Sequence, residues 1–338
     1  MSFNQEPASS DKPARTAVLL INLGSPDAPT PAAVRRYLAE FLADPRVVEI
    51  PRLLWWPILH GIVLRTRPRK SAAKYAGIWT AEGSPLAVWT ARQATLLTGY
   101  LGERGQRVLV RHAMRYGSPG IGEQLDQLKA EGATRVLLLP LYPQYASATT
   151  GSMWDAVAHW AQRTRVLPEL RCVQRFHDDA GYLDALARRI TDHWMREGRP
   201  DKLVMSFHGL PARTVALGDP YHRECLETAR LLAERLGLRD DAWLATFQSR
   251  FGKAKWLQPY TEPTLRRLAR DGVARVDVVC PGFMADCLET LEEIAVEGRN
   301  AFITAGGKSF HYIACLNDSH PGMLALTQLT LRHLQGWA

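Results

Sequence analysis

Short, nearly uninterrupted apolar runs alternate along this chain with longer amphipathic stretches, and that alternation leaves few folds open. A run such as Ala17–Leu23 (AVLLINL) has almost no polar face to offer water, so a sheet built from such runs must be covered on both sides. Similar runs recur at Arg107–His112, Arg135–Leu139, Leu170–Phe176, Lys202–Phe207, Ala242–Phe247, Arg275–Val279 and, more weakly, Phe310–Ile313. Helical periodicity falls between them, at Pro31–Ala43, Ala87–Leu101, Ile121–Glu131, Tyr182–Arg196 and Thr261–Asp271. Strand–helix alternation predicts an α/β chain with parallel sheets. At 338 residues the chain exceeds the usual single-core size. The prediction is therefore two similar doubly wound, Rossmann-like lobes, each with a mainly parallel four-stranded sheet.

The expected order is a disordered polar tail over 1–14 and a first lobe over 15–180, with an apolar segment at 51–68. A second lobe follows over 181–317, and a C-terminal helix over 318–338 returns to the first. The lobe boundary is expected near 176–200, with the helix Tyr182–Arg196 as connector.

Composition removes several alternatives. Hydrophobic residues make up 46% and charged residues 22%, a globular balance. Lys and Arg outnumber Asp and Glu by 42 to 34, a net charge of +8. That excess suits an anionic small molecule or an acidic membrane surface. The basic residues are scattered and carry no nucleic-acid signature, so no nucleic-acid partner is expected. Five cysteines (Cys172, Cys225, Cys280, Cys287, Cys315) form no CxxC pair, which fits a reducing cytoplasm. The polar N-terminal sequence has no signal-peptide core. The stretch Leu53–Leu64 (LLWWPILHGIVL) is too short for a bilayer span, which needs roughly 20 residues.

Ligands of open α/β sheets bind beyond the carboxyl ends of strands. His208 follows the apolar run KLVMSF and precedes Gly209 and Pro211. An imidazole held there can act as a base or a metal ligand, or can simply satisfy a nearby carbonyl. Glu289, Glu293 and Glu297 recur at every fourth position, so on one regular helix they share a face. Like charges at that spacing repel, and no Lys or Arg separates them. Such a stripe can pass hydrated cations or protons inward, or can be a solvated acidic face. One imidazole with a carboxylate suits a borderline divalent metal such as Fe(II). Arg115, in MRYGSP, could pair with a ligand carboxylate or lie on the surface. Aromatic residues gather near turns, among them Trp55, Trp56, Tyr142, Tyr145, Tyr221 and Trp256. They could wall a flat apolar ligand or serve as packing. No GxGxxG, P-loop, GxSxG or HExxH motif competes with these features.

Taken in order, the segments INLGSPDAP, WTAEGSPL, AMRYGSP, LYPQYASATTG, SFHGLP, GDPY, FQSRFG, KWLQPYTEPTL and CPGFMADCLETLEEI resemble the ferrochelatase family, specifically its bacterial type that acts on protoporphyrin. The resemblance spans Ala17 to Leu334. It implies two doubly wound lobes with a porphyrin cleft between them, and insertion of Fe(II) into protoporphyrin IX. On that resemblance His208 and Glu289 are the catalytic and iron-binding pair, and Glu293 and Glu297 an acidic path. Leu23, Arg115, Tyr142, Tyr145, Tyr221, Gln248 and Trp256 are porphyrin-pocket residues. Trp55, Trp56, Ile58 and Leu59 belong to an apolar lip that touches the inner-membrane surface or the preceding pathway enzyme. The chain departs from animal relatives in carrying Cys287 two residues before Glu289, where they have histidine. It also lacks their cysteine-rich C-terminal run, so no iron–sulfur cluster and no tightly bound cofactor are expected. Leu23 stands where the coproporphyrin-using branch has a tyrosine ligand, which favours protoporphyrin. The expected location is cytoplasmic, peripheral at the inner membrane. The competing readings are a chelatase for coproporphyrin iron or sirohydrochlorin cobalt, and a non-catalytic porphyrin or haem carrier.

Overall fold

The computed structural model describes residues 13–252 and 254–337. The expected tail over 1–14 lies, up to residue 12, outside the described residues. Eight strands form: β1 (Arg15–Asn22), β2 (Leu109–Met114), β3 (Ala133–Pro140), β4 (Glu169–Cys172), β5 (Lys202–His208), β6 (Trp243–Gln248), β7 (Arg275–Val279) and β8 (Ser309–Ile313). They make two four-stranded sheets, ordered β2-β1-β3-β4 and β6-β5-β7-β8, parallel throughout. The two orders are the same when each sheet is counted from its own first strand. This is the predicted α/β class.

Each apolar run became a strand, with its ends moved by one to four residues in most cases. β1 begins at Arg15 and β3 at Ala133, because the hydrogen-bonded ladder continues into residues whose side chains reach water. β4 stops at Cys172, short of the expected Phe176, although Val173 still donates to the Leu138 carbonyl.

The first unit comprises the chain up to Leu141, Ser147–Gln174 and the residues from Leu326 onward. Its core sets Ala17, Leu19 and Ile21 of β1 against Leu125, Leu128, Val157 and Trp160 of the covering helices. The second unit comprises Tyr142–Ala146 and Arg175–Ala325. Its core joins Val204, Val276 and Val278 to Leu265, Phe302 and Phe310. The helix Ala180–Glu197, read from sequence as a connector, belongs to this second unit. Tyr182, Leu183, Leu186, Ile190 and Trp194 form a continuous buried face, which packs against the helix Tyr221–Arg235 and β8.

The acidic segment departs from the expected regular helix. A short α-helical turn, Leu288–Leu291, passes into a π-helix, Glu293–Gly298, and then into an α-helix, Arg299–Thr304. The Glu297 amide reaches back five residues to the Glu292 carbonyl at 2.9 Å, the wider π-type closure. The simple four-residue spacing of a shared α-helical face is thereby lost.

Where β1 ends, Gly24 adopts φ +107°, and a Cβ there would lie 1.8 Å from the Tyr116 carbonyl oxygen. Only glycine fits both the backbone and the space. Gly24→Ala should lower stability by at least about 2 kcal/mol. An unchanged urea midpoint would contradict this reading of the turn.

Candidate active site

In a doubly wound sheet the chain reverses its winding between the first and third strands, and a crevice opens beyond their carboxyl ends. In the second unit those strands are β5 and β7. His208 closes β5, and the segment leaving β7 runs through Cys280 to Glu289. The sequence-predicted pair therefore sits where this topology puts ligands.

His208 is half-buried, with Nδ1 2.7 Å from the Gly209 carbonyl oxygen. A carbonyl can only accept, so Nδ1 donates, and the neutral ring keeps its lone pair on Nε2. Carbonyl satisfaction at Nδ1 leaves Nε2 uncommitted, so the two alternatives read from the sequence do not exclude one another. The turn beneath is tight. A Cβ on Gly209 would meet the Gln248 carbonyl oxygen at 2.7 Å and the Trp256 ring at 3.1 Å. Trp256 Nε1 is buried with no hydrogen-bond partner among the described residues.

Gln248, at the end of β6, is buried, and its amide is used at both ends. Its Oε1 accepts from Ser206 Oγ at 2.7 Å and from Cys280 Sγ at 3.7 Å. Its Nε2 donates to the Glu289 carbonyl at 2.6 Å. The next residue, Ser249, takes the left-handed φ of +63°, uncommon for a residue with a side chain. There its backbone N–H donates to Glu293 Oε1 at 2.6 Å and its hydroxyl to Oε2 at 2.5 Å. Sequence reasoning missed Ser249; its only signal was its place after an apolar run.

The three glutamates have different environments. Glu289 is half-buried at the start of its turn, and Glu297 is exposed. Glu293 has its pKa raised above the ordinary 4.5, first by burial and further by the charge of Glu289. Ser249 and His208 pull in the opposite direction without cancelling the rise. Burial, and then Glu289, push the Cys287 thiol well above its usual range, so it stays protonated. Asp286 anchors this segment: it accepts from Tyr312 at 2.5 Å, Asn317 at 2.6 Å and Thr290 at 3.1 Å.

Tyr221 is buried, its hydroxyl bonded to the His208 backbone and its pKa raised, chiefly by burial. Tyr142 and Tyr145 lie on the Tyr142–Ala146 segment of the same unit. The Tyr145 N–H donates to Glu224 Oε2 at 2.7 Å, and Gln144 Nε2 donates to Thr228 at 2.9 Å and to the Pro281 carbonyl at 3.3 Å.

Two predicted residues lie in the first unit. Leu23 directly follows β1 and is half-buried. Arg115 is committed internally: NH2 donates to Asp44 Oδ2 at 2.6 Å and Nε to Ser152 Oγ at 2.7 Å, and the guanidinium lies 4.4 Å from the Tyr116 ring centroid. Asp44 also accepts from Ser152 at 2.5 Å and Tyr116 at 2.9 Å. The sequence offered no means of pairing Arg115 with a carboxylate 71 residues away.

The lip divides into two kinds of residue. The α-helix Arg52–Ile58 runs through a π-helical turn, Leu59–Val63, into the α-helix Leu64–Ile78. Trp55 and Leu59 are buried with Leu42, Val63 and Leu64, and Trp55 Nε1 donates to the Leu42 carbonyl at 2.7 Å. They are packing residues, which corrects their expected place on the lip surface. Trp56 and Ile58 do face outward, joined by Leu53, 88% exposed, Leu54 and Ile62, 59% exposed. Arg65, Arg69 and Lys70 are exposed nearby.

A sequence model described as Ferrochelatase matches residues 15–334. A ferrochelatase of Methylibium petroleiphilum is 69% identical over 96% of this chain and 89% of its own length. One of a Polaromonas species is 65% identical over 100% of this chain and 93% of its own. Among solved structures, SirB from Bacillus subtilis with Fe3+ superposes with a TM-score of 0.57 at 14% identity, covering 96% of this chain and 97% of that one. This likeness concerns the fold.

The Asp44 network has a pH signature. Burial works to raise the Asp44 pKa, but the bonds from Ser152, the Arg46 backbone and Tyr116, with the Arg115 charge, hold it below its ordinary 3.8. The stability it contributes is present above the unfolded value and is lost as pH falls through the folded one. Asp44→Asn should melt at a lower temperature at neutral pH, and its deficit should shrink as pH falls below about 4. Melting curves from pH 7 downward check this; a deficit that stays constant with pH would contradict it.

Proposed function

The chain belongs to the ferrochelatase family, and from that premise we propose that it inserts Fe(II) into protoporphyrin IX, with His208 and Glu289 handling metal and protons. The observation that carries this reading is the His208 ring at the β5 terminus. Its Nδ1 is held by a carbonyl, which leaves Nε2 as the nitrogen to gain or lose a proton, and a raised-pKa carboxylate lies within its electrostatic reach.

Metallation requires two pyrrole N–H protons to leave while the nitrogen lone pairs turn toward the iron. A site that bends the macrocycle toward the metallated geometry binds that state in preference to the flat ring. His208 Nε2 accepts a proton or ligates the metal, and Glu289 is its partner. Glu293 receives protons more readily than an ordinary carboxylate, because burial disfavours its charged form. The exposed Glu297 then forms the solvent end of the path. Gln248 and Ser249 act as positioning residues, holding the Glu289 backbone and the Glu293 carboxylate. Arg115 braces the first unit through Asp44. Tyr142, Tyr145, Tyr221 and Trp256 supply aromatic contacts to the porphyrin, and Leu23 an aliphatic one.

Leu23 offers no ligand atom, which supports protoporphyrin over coproporphyrin. Iron is the substrate metal in this reading, and no iron–sulfur cluster is assigned. Burial pushes the Cys225, Cys280, Cys287 and Cys315 thiols well up, which suits protonated packing groups.

Among the described residues no helix is long and apolar enough to cross a membrane. Leu53, Leu54, Trp56, Ile58 and Ile62 beside Arg65, Arg69 and Lys70 support peripheral contact with an anionic bilayer. Replacing Leu53, Leu54 and Ile62 with Ser should reduce flotation with anionic vesicles and leave the melting temperature nearly unchanged, since none of the three is buried. Undiminished flotation would remove the membrane reading.

Steady-state insertion under anaerobic conditions tests the site. His208→Ala should lose turnover by a hundredfold or more, on the order expected for a lost acid–base group, with porphyrin still bound. Glu289→Gln should lower kcat strongly, Glu293→Gln less and Glu297→Gln least, the last chiefly altering iron dependence. Full turnover in His208→Ala, or equal activity in all three glutamine variants, would sink the assignments.

A further inference from the structure

The face of the second sheet that lies under the helix Ala180–Glu197 carries an unexpected polar group. Asp277 of β7 and His311 of β8 are register partners on adjacent parallel strands, and His193 comes down on them from the helix. Asp277 is fully buried; both histidines are half-buried. His311 Nδ1 lies 3.2 Å from His193 Nε2, which lies 3.4 Å from Asp277 Oδ2. Ligand atoms about 2.0–2.1 Å from a tetrahedral zinc stand about 3.3 Å apart, so these spacings fit one metal.

The bonds around His311 turn its lone pair inward, and His193 Nε2, facing that lone pair and the Asp277 carboxylate, carries the proton a metal would displace. His311 Nε2 is 3.2 Å from Ser309 Oγ, and its Nδ1 accepts from Arg275 NH2 at 3.3 Å. Nδ1 is therefore the unprotonated nitrogen. Trp194 Nε1 donates to Asp277 Oδ2 at 2.9 Å and orients the carboxylate. Partners of this kind fix the ligands of structural metal sites.

We propose that His193, Asp277 and His311 form a binding site for a zinc-class divalent cation, separate from the iron-handling site. Two imidazole nitrogens and one carboxylate oxygen are the donor set such a cation favours, with water at the remaining position. Asp277 pairs with Leu203 of β5, five residues before His208, so the site lies about 16 Å along the strands from the iron-handling residues. The cation clips edge strand β8 to the helix. Arg275 is its internal competitor: NH2 stands 3.2 Å from Asp277 Oδ2, while Nε holds Oδ1 at 3.0 Å. Metal entry requires NH2 to swing off Asp277 Oδ2 and His311 Nδ1, and His193 Nε2 to give up its proton, while the Nε contact keeps the ion pair. Repulsion from Arg275 weakens the site relative to one without a neighbouring cation.

The test uses the full chain with Zn2+ alone as probe, by calorimetry and thermal melting. The wild type should bind one zinc equivalent more than a His193→Gln/His311→Gln variant, and zinc should raise only the wild-type melting temperature through this site. Porphyrin metallation should be unchanged in the variant, since neither residue touches the iron-handling groups. Equal zinc stoichiometry and equal melting response in the two proteins would overturn the proposal and leave Arg275–Asp277 as a plain ion pair. If the double variant folds poorly, His311→Gln alone, which leaves Arg275 and Asp277 in place, decides by the same comparison.

Discussion

The side-chain amide of Gln248 is the point at which the second unit's strand ends are tied together. It receives Ser206 from β5 and Cys280 from the exit of β7, and it gives its own N–H to the carbonyl of Glu289. Its backbone carbonyl accepts from the Gly209 N–H at 2.8 Å. Each such bond contributes about 1 kcal/mol net, but an amide left unmatched in this buried place would cost about 1–3 kcal/mol per group. The arrangement is therefore close to all-or-none. It requires parallel strands in the order β6-β5-β7, since only then do three carboxyl ends meet at one edge.

From this tie the electrostatics of the site follow. Holding β6 in place sets Ser249 in a left-handed conformation, and both donors of Ser249 then grip Glu293. Glu293 is consequently held half-buried, close to a second carboxylate and an imidazole. Its proton affinity rises because burial penalises its charge more than the neighbouring donors relieve it. A carboxylate with raised pKa beside an imidazole is a combination suited to exchanging protons, and it is produced here by backbone geometry as much as by residue type.

Much of this was legible in the sequence. The strands announced themselves because parallel strands covered on both faces must be apolar throughout. The strand-end position of His208 was legible because it directly follows such a run. Less was legible where the outcome depended on distant partners or on helix pitch. Nothing local in LLWWPILHGIVL distinguishes Trp55, sealed against the Leu42 carbonyl, from Trp56 on the surface. The ion pair of Arg115 with Asp44 was hidden because the two are remote in the chain. The acidic run read as one regular stripe because a π-helical turn leaves no mark in residue spacing. Ser249 was invisible for a related reason: its role lies in a backbone angle.

If the His208–Glu289–Glu293 group takes up the protons displaced when iron enters the macrocycle, those protons must reach solution later than the metal reaches the ring. A single-turnover experiment tests it most directly: anaerobic enzyme, Fe(II) and protoporphyrin mixed in weakly buffered solution containing a pH indicator, with porphyrin absorption followed in parallel. Proton uptake by these side chains requires that the free-base spectrum disappear in the enzyme's first turnover, and that proton appearance in solution, two for each porphyrin metallated, lag behind it while the protons pass through the site. Proton release simultaneous with metallation, or a free-base spectrum that persists, would contradict it.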